Sequence, residues 1–352
     1  MAFIYSKTGQ FDKQLVEARE ALRLDPTDGA NYGNLVDSYL DLGCLNEALA
    51  VAREAQARKM DTPDLHLVLY LVAFTENDAA GMARQTEWAM GKPGTEGAML
   101  YFESDTAGYS GELVKANELT QRAIFSAMQA GEKETAAGYG AEAALREALF
   151  GISAKAERGA RAALHLSSGR DVEGAVGMAV AISGYRVKAQ MLASALATDY
   201  PKDTLVQLNY LPTIYAAIDL DEDDPTKAIA ELQSALPYEF GSPAEFVDLV
   251  LYPAYIRGEA YLAAHQGQQA AAEFQKIIDH PGAVQNEPIG ALAHLGLARA
   301  YALEAKTAQG AEAQNETTKA CAAYTEFFAL WQHADPDIPI LREAKSEFVK
   351  IK

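Results

Sequence analysis

The sequence predicts an all-α protein built as a stack of antiparallel helix pairs. Three observations carry that expectation. Gly9, Gly43 and Gly111 fall on a lattice of 34 residues, with Asn77 at the missing point. Each sits between two helical patterns, and Gly and Asn tolerate the left-handed backbone that a tight turn between helices requires. Small residues recur at fixed offsets after each turn: Ala18 and Ala21, then Ala48, Ala52 and Ala55, then Ala116 and Ala123. A stripe of small side chains lets two helices approach closely. Alternating β-branched runs, the mark of strands, are absent.

Taken in order, the units keep this phase and then shift it. Tyr5 and Tyr39 stand four residues before their turns, and Phe74 takes a similar place. Leu24-Asp25-Pro26 closes the first unit, because proline cannot continue the helix. Gly151 opens a helix with Ala156, Ala160 and Ala163, and Gly184 one with Ala189 and Ala193. Asp223-Asp224-Pro225 stands in for a glycine turn before Ala228, Leu232 and Ala235. Gly258 and Tyr261 precede a helix with Ala270, Phe274 and Ile277, and Leu297 and Tyr301 one with Ala320, Tyr324 and Phe327. About nine helix pairs are expected. A 34-residue helix–turn–helix unit with these marks resembles the tetratricopeptide repeat (TPR). That resemblance implies an α-solenoid, a right-handed superhelix of antiparallel helix pairs, closed by a C-terminal capping helix.

The expected divisions of this one continuous solenoid are repeats one to four over 1–130, the first truncated; repeats five to seven over 131–236; and repeats eight and nine over 237–334. An insertion near 305–318 reads as a longer exposed turn, polar and alanine-rich. The segment 335–352 reads as the capping helix, amphipathic from Ile340 to Val349 after the breaker Asp335-Pro336-Asp337-Ile338-Pro339. The first unit lacks the start of its first helix, as in a fragment of a longer protein or a chain with a degenerate first helix.

Longer matches lie in Leu166 to Val172, Asp203 to Gln207 with Leu211 to Ile214, Glu273 to His280, Gly290 to Tyr301, and the ending Leu330-Trp331 with Ala334 to Leu341. Together these resemble the C-terminal repeat region of bacterial eukaryotic-like serine/threonine protein kinases of the acidobacterial type. The resemblance implies a sensory or docking half of a signalling protein, with the kinase domain upstream. Similar repeat regions follow winged-helix domains in bacterial regulators, and a stand-alone TPR scaffold is a third reading.

The chemistry expected of this chain is binding. A kinase needs a glycine-rich phosphate loop, a strand lysine and magnesium-holding carboxylates, and none of these motifs occurs. Gly169-Arg170-Asp171 is read as a helix start with Asp171 as N-cap. The six histidines have no metal-ligand spacing, Cys44 and Cys321 form no CxxC motif, and Asp221 to Asp224 lacks the pattern of a calcium loop. No catalytic residue, cofactor or metal ligand is expected. The formal charge of -19 disfavours nucleic acid and anionic lipid and suits a basic partner, and it serves as well simply to keep a large alanine-rich surface soluble. No signal peptide and no apolar run long enough to span a bilayer is present, so a soluble, cytoplasmic chain is expected unless a membrane span precedes it.

A protein or peptide is expected in the concave groove, lined by the first helix of each pair. Extending the register puts Asn34, Asp37, Tyr101, Asp105, Tyr210, Tyr252, Tyr255, Glu259 and Arg299 on that lining. Tyrosine suits an interface, with large area and a hydroxyl, and it suits packing between repeats equally well.

Overall fold

A computed structural model describes residues 1–241 and 249–351. Residues 242–248, inside the expected eighth repeat, and Lys352 lie outside the described residues. The chain forms α1 (Ala2–Lys7) and α2 (Phe11–Leu24), α3 (Gly29–Asp41) and α4 (Leu45–Ala57), α5 (Pro63–Thr75) and α6 (Ala79–Ala89), then α7 (Thr95–Tyr109) and α8 (Leu113–Ala130). It continues with α9 (Lys133–Leu149) and α10 (Ser153–Leu166), α11 (Arg170–Ile182) and α12 (Arg186–Asp199). A π-helical turn, Val206–Tyr210, leads into α13 (Leu211–Asp221), and α14 (Pro225–Glu231) runs on as a 3-10 stretch, Leu232–Tyr238. Then come α15 (Tyr252–Ala263) and α16 (Gly267–Ile278), the short α17 (Pro281–Val284), α18 (Pro288–Thr307) and α19 (Gly310–Leu330), and α20 (Pro339–Ile351). The described residues contain no strand. This is an all-α, TPR-type solenoid with a C-terminal capping helix.

The turns explain the lattice. Gly9, Gly43, Asn77 and Gly111 have φ of 70°, 69°, 56° and 72°. In each case the next residue's amide donates to the carbonyl five residues back, Tyr5, Tyr39, Ala73 or Ala107, always at 2.8 Å. This satisfies carbonyls that the helix end would otherwise leave unpaired. Asp223 and His265 perform the same turn without glycine, at φ 58° and 57°. His265, rather than the earlier Gly258, is therefore the turn residue of its unit. Gly258 has another task. A Cβ there or at Gly296 would meet the Phe274 ring at 2.8 or 2.5 Å, so the two glycines let α15 and α18 clasp one phenylalanine.

The alanine stripes are buried as expected. Ala18, Ala48, Ala52, Ala55, Ala116 and Ala123 are interior, as are Ala156, Ala160, Ala189, Ala193 and Ala270, while Ala21 is half-buried. Two local expectations are corrected. The extra residues of the last unit extend both helices, since α18 ends at Thr307 and α19 begins at Gly310, so there is no long exposed turn. Asp171 is not a cap: α11 starts at Arg170 with Gly169 before it, and Asp171 pairs with Arg170 at 2.7 Å.

The superhelix returns onto itself. α17 lies against α3 and α5, and α18 against α7. Asn286 donates to the Phe102 carbonyl at 2.8 Å, and Trp331 Nε1 to the Tyr109 carbonyl at 2.9 Å. The Asp335 amide donates to Gly111 O at 3.0 Å, while Val114 N donates to the Asp335 carboxylate at 2.7 Å. Gly111 thus serves twice, because a Cβ there would also strike Trp331 and Ala334.

Candidate functional site

The return of the chain decides what became of the expected groove. Tyr101, Asp105, Tyr210, Tyr252 and Tyr255 are all at most 7% exposed, which corrects their placement on an open lining. The register argument sees which face of a helix a residue occupies, but it cannot see that a later repeat covers that face. Tyr210 donates to Asp171 at 3.0 Å, within a net in which Arg170 also pairs with Asp203 at 2.8 Å. Tyr255 packs its ring edge-on against Phe274, with centroids 5.8 Å apart. Arg299 pairs with Glu347 of α20 at 3.0 Å and so fastens the capping helix rather than facing a groove. Glu259 is half-buried; burial raises its carboxyl above the usual range, and the Arg299 charge opposes that rise. Asp37 is half-buried and accepts from Gln14 at 3.3 Å, whereas Asn34 is exposed on α3.

Where the two halves meet, polar side chains gather in the interior. α9 presents Tyr139, Glu142 and Arg146, which share one helix face by their spacing. α7 presents Tyr101 and Asp105, and the segment before α18 brings Glu287. Carboxylate oxygens of Asp105, Glu142 and Glu287 lie within 4.8 Å of one another, and all three residues are buried. Arg146 Nη1 pairs with Asp105 at 2.8 Å and also donates to Ser104 Oγ at 3.1 Å, while Nη2 donates to Thr120 at 3.0 Å. Tyr101 donates its hydroxyl to Glu142, and Tyr252 donates to Glu287 at 2.9 Å. Burial, and then the neighbouring carboxylates, push both phenols well above their ordinary range, so they remain protonated donors. Tyr101 stacks on Tyr139 with centroids 4.6 Å apart.

Three oxygen donors of this kind suit a hard cation. Here, though, a guanidinium already sits on one carboxylate and phenols donate to the other two, so the arrangement is an acid–tyrosine–arginine net. Sequence reasoning found Tyr101, Asp105 and Tyr252 and missed Glu142, Arg146, Asn286 and Glu287. The legible signal was in α9, where a tyrosine, an acid and an arginine recur on one face of an otherwise alanine-rich helix.

Several cavities lie among the described residues. A cleft of about 580 Å³ opens between the halves, with Phe74, Met82, Thr106 and Tyr109 on one wall and Ile278, Val284 and His294 on the other. A second, of about 490 Å³, lies between Phe11, Asp12 and Asp41 and the residues Phe240, His280 and Gly282. On the outer face an apolar trough of about 370 Å³ runs between α10 and α12, lined by Leu164, Val180, Met191 and Leu192. No helix among the described residues is long and apolar enough to cross a membrane.

No protein-family model and no curated protein matches the sequence. Among solved structures, the chain is similar to a chain of the APC/C hetero-tetramer Cut9-Hcn1, at 13% identity over 99% of this chain and 54% of that one, with a TM-score of 0.43. It therefore spans about half the length of that protein. It is also similar to a tetratricopeptide repeat protein from Parabacteroides merdae ATCC 43184 (14% identity, 85% of this chain, 95% of that chain, TM-score 0.36). The human IFIT1 dimer with PPP-AAAA is similar too (13% identity, 99% of this chain, 87% of that chain, TM-score 0.44). The fold assignment rests on the helix pairs and turns of the chain itself.

Proposed function

We propose that this chain is a non-catalytic protein-interaction module, a docking surface for a protein or peptide partner. The observation that carries this reading is the solenoid of stacked helix pairs itself, an architecture whose extended surface suits a protein or peptide partner. The surplus of acidic residues favours a partner with basic segments and repels nucleic acid. On the sequence resemblance, the module is the sensory or docking part of a serine/threonine-kinase-like signalling protein. Asn34 and Asp37, on the second repeat, are the members of the expected lining that a partner reaches most directly.

The test is capture with the immobilised chain from extract of the cell that makes it, followed by measured binding of the purified partner. A saturable complex that weakens with salt is the expected result, with no phosphotransfer to a generic acceptor in the presence of ATP and magnesium. Phosphotransfer that survives further purification, or no saturable partner under any condition, overturns the reading.

A further inference from the structure

The outer face of the solenoid carries the open apolar trough between α10 and α12. Along α10, Glu157, Ala160, Arg161 and Leu164 fall at helical spacing on one face. Along α12, Lys188, Met191, Leu192 and Ala195 repeat that spacing. These two faces form the walls, and the buried Val176 and Val180 of α11 form the floor. The opening holds about 370 Å³. Met191 and the neighbouring Val187 stand 68% and 76% exposed. Large apolar side chains grouped at the rim of an apolar trough mark an interaction surface, whereas a single exposed one does not.

The charge of this face runs against that of the chain. Acid exceeds base over the whole sequence, 49 residues against 30. On α10 and α12 the balance is reversed, because Lys155, Arg158, Arg161, Arg186 and Lys188 outnumber Glu157 and Asp199. Lys155 is neutralised by Glu147, and Arg186 by Asp221 and Glu222. The surplus therefore gathers at the mouth of the trough, where one carboxylate serves both walls. Glu157 pairs with Arg161 at 3.3 Å and with Lys188 across the gap. Arg158 acts on the same carboxyl. Arg158, Arg161 and Lys188 are all exposed. The trough is thus apolar along its length and positive at one end. A second copy of the chain, docked here by two-fold symmetry, brings the same cations and the same single carboxylate, so charge disfavours it.

We infer that this trough docks a short amphipathic helix of a partner protein, with an apolar stripe and with aspartate or glutamate beside one end of that stripe. The stripe supplies the anchors, since side chains at i, i+3 or i+4 and i+7 reach into a groove whose walls have the same period. Met191 suits such a contact because its unbranched, polarizable chain adapts to the shape laid on it. The partner's carboxylates meet Arg158, Arg161 and Lys188, which Glu157 alone leaves unbalanced. They steer the approach and fix which way the helix lies. The acidity of the chain as a whole still suits basic segments elsewhere, and this face takes the opposite sign. The inference rests on the reading of the chain as an interaction module and adds the face, the form of the segment and its charge.

The experiment uses the full chain and three synthetic helical peptides, followed by fluorescence anisotropy. One has leucine on one face and glutamate on the other. The second keeps the leucines and replaces glutamate by lysine, and the third keeps the glutamates and replaces leucine by serine. The leucine–glutamate peptide should saturate and bind about tenfold more tightly than either of the others. Met191→Asp should weaken it about tenfold at any salt concentration. Lys188→Glu should weaken it by about the same factor at low salt, and less as salt is added. Val16→Asp, at an exposed position of α2, should leave the affinity as it was. Circular dichroism checks each variant, and if Met191→Asp loses helix, Lys188→Glu and Arg161→Glu decide. The inference is overturned if the leucine–glutamate peptide does not bind, if either control peptide binds as tightly, or if the trough variants bind like the parent chain. Self-association that Met191→Asp abolishes, without peptide binding, overturns it in favour of a contact between copies. A captured natural partner that binds Met191→Asp and Lys188→Glu as tightly as the parent overturns the trough but keeps the interaction module. Absence of both peptide binding and any saturable partner sinks both.

Discussion

At one end of the solenoid, α20 buries Ile340, Leu341 and Ala344, and its Glu347 accepts from both Arg299 and Tyr324, at 3.0 and 2.9 Å. At the other end, α1 buries no residue, and Phe3 and Ile4 stand 64% and 55% exposed. Every repeat in a stack covers its neighbour, so a unit at either end of the described stack leaves an apolar face that another segment must cover. The C-terminal face receives a dedicated amphipathic helix. The N-terminal unit receives partial cover from the returning chain: Phe240 stands edge-on to Phe11 at 6.1 Å, and Gly241 packs against the Lys7 carbonyl. The difference shows that an end can be finished by local sequence or by the curvature of the whole superhelix, and the two solutions differ in strength.

Leu341→Ala should produce the largest effect, about 2–5 kcal/mol lost in urea unfolding, because it opens a cavity beneath the cap. Ile4→Ala should change stability by no more than about 0.5 kcal/mol. Equal losses at the two positions break the comparison. Phe240→Ala should cost about 1 kcal/mol from the lost edge-on ring pair. Its fingerprint is local: amide exchange should accelerate over α1 and α2 and stay slow over α18 and α19. Even in the parent chain, α2 should exchange faster than α8, and matching protection would mean that Phe240 covers its end as well as α20 covers the other.

Glu347→Gln sharpens the account of the cap by removing a charge-assisted contact to Arg299. A loss of about 1 kcal/mol is expected, shrinking with added salt. The smallest effect concerns His294 on α18. Burial lowers its pKa below the ordinary histidine range, while Glu326 at 3.2 Å opposes that shift. The unfolded chain then binds the proton more readily, so stability falls as pH drops through about 6.5 and levels off below the folded pKa. His294→Gln should flatten a melting series between about pH 7 and 5. An unchanged slope would place the proton uptake elsewhere.

Much of the architecture was legible because its causes are local. The turns at Gly9, Gly43, Asn77 and Gly111 depend on a few adjacent residues, and the alanine stripes depend on neighbouring helices of one pair. The end of α18 was misread because polar, alanine-rich sequence such as Lys306 to Ala311 suits a helix surface as well as a loop. The groove was misread for a different reason. Tyr101, Tyr252 and Tyr255 lie on the helices expected, but their exposure is a property of the whole superhelix.

By itself, then, the sequence determined the helix pairs, their turns, the small-residue contacts between paired helices and the amphipathic cap, since each follows from backbone preference or from periodicity within a single repeat. The tertiary structure alone decided that the inner face of repeats four and five is covered, that Glu287 meets Asp105 and Glu142, and that Arg299 serves the cap. Those contacts join residues as far apart as Phe102 and Asn286, 184 positions along the chain. No periodic signal spans such a separation, because it is set by the accumulated curvature of the stack, and a small rotation in each repeat decides which distant surface comes within reach.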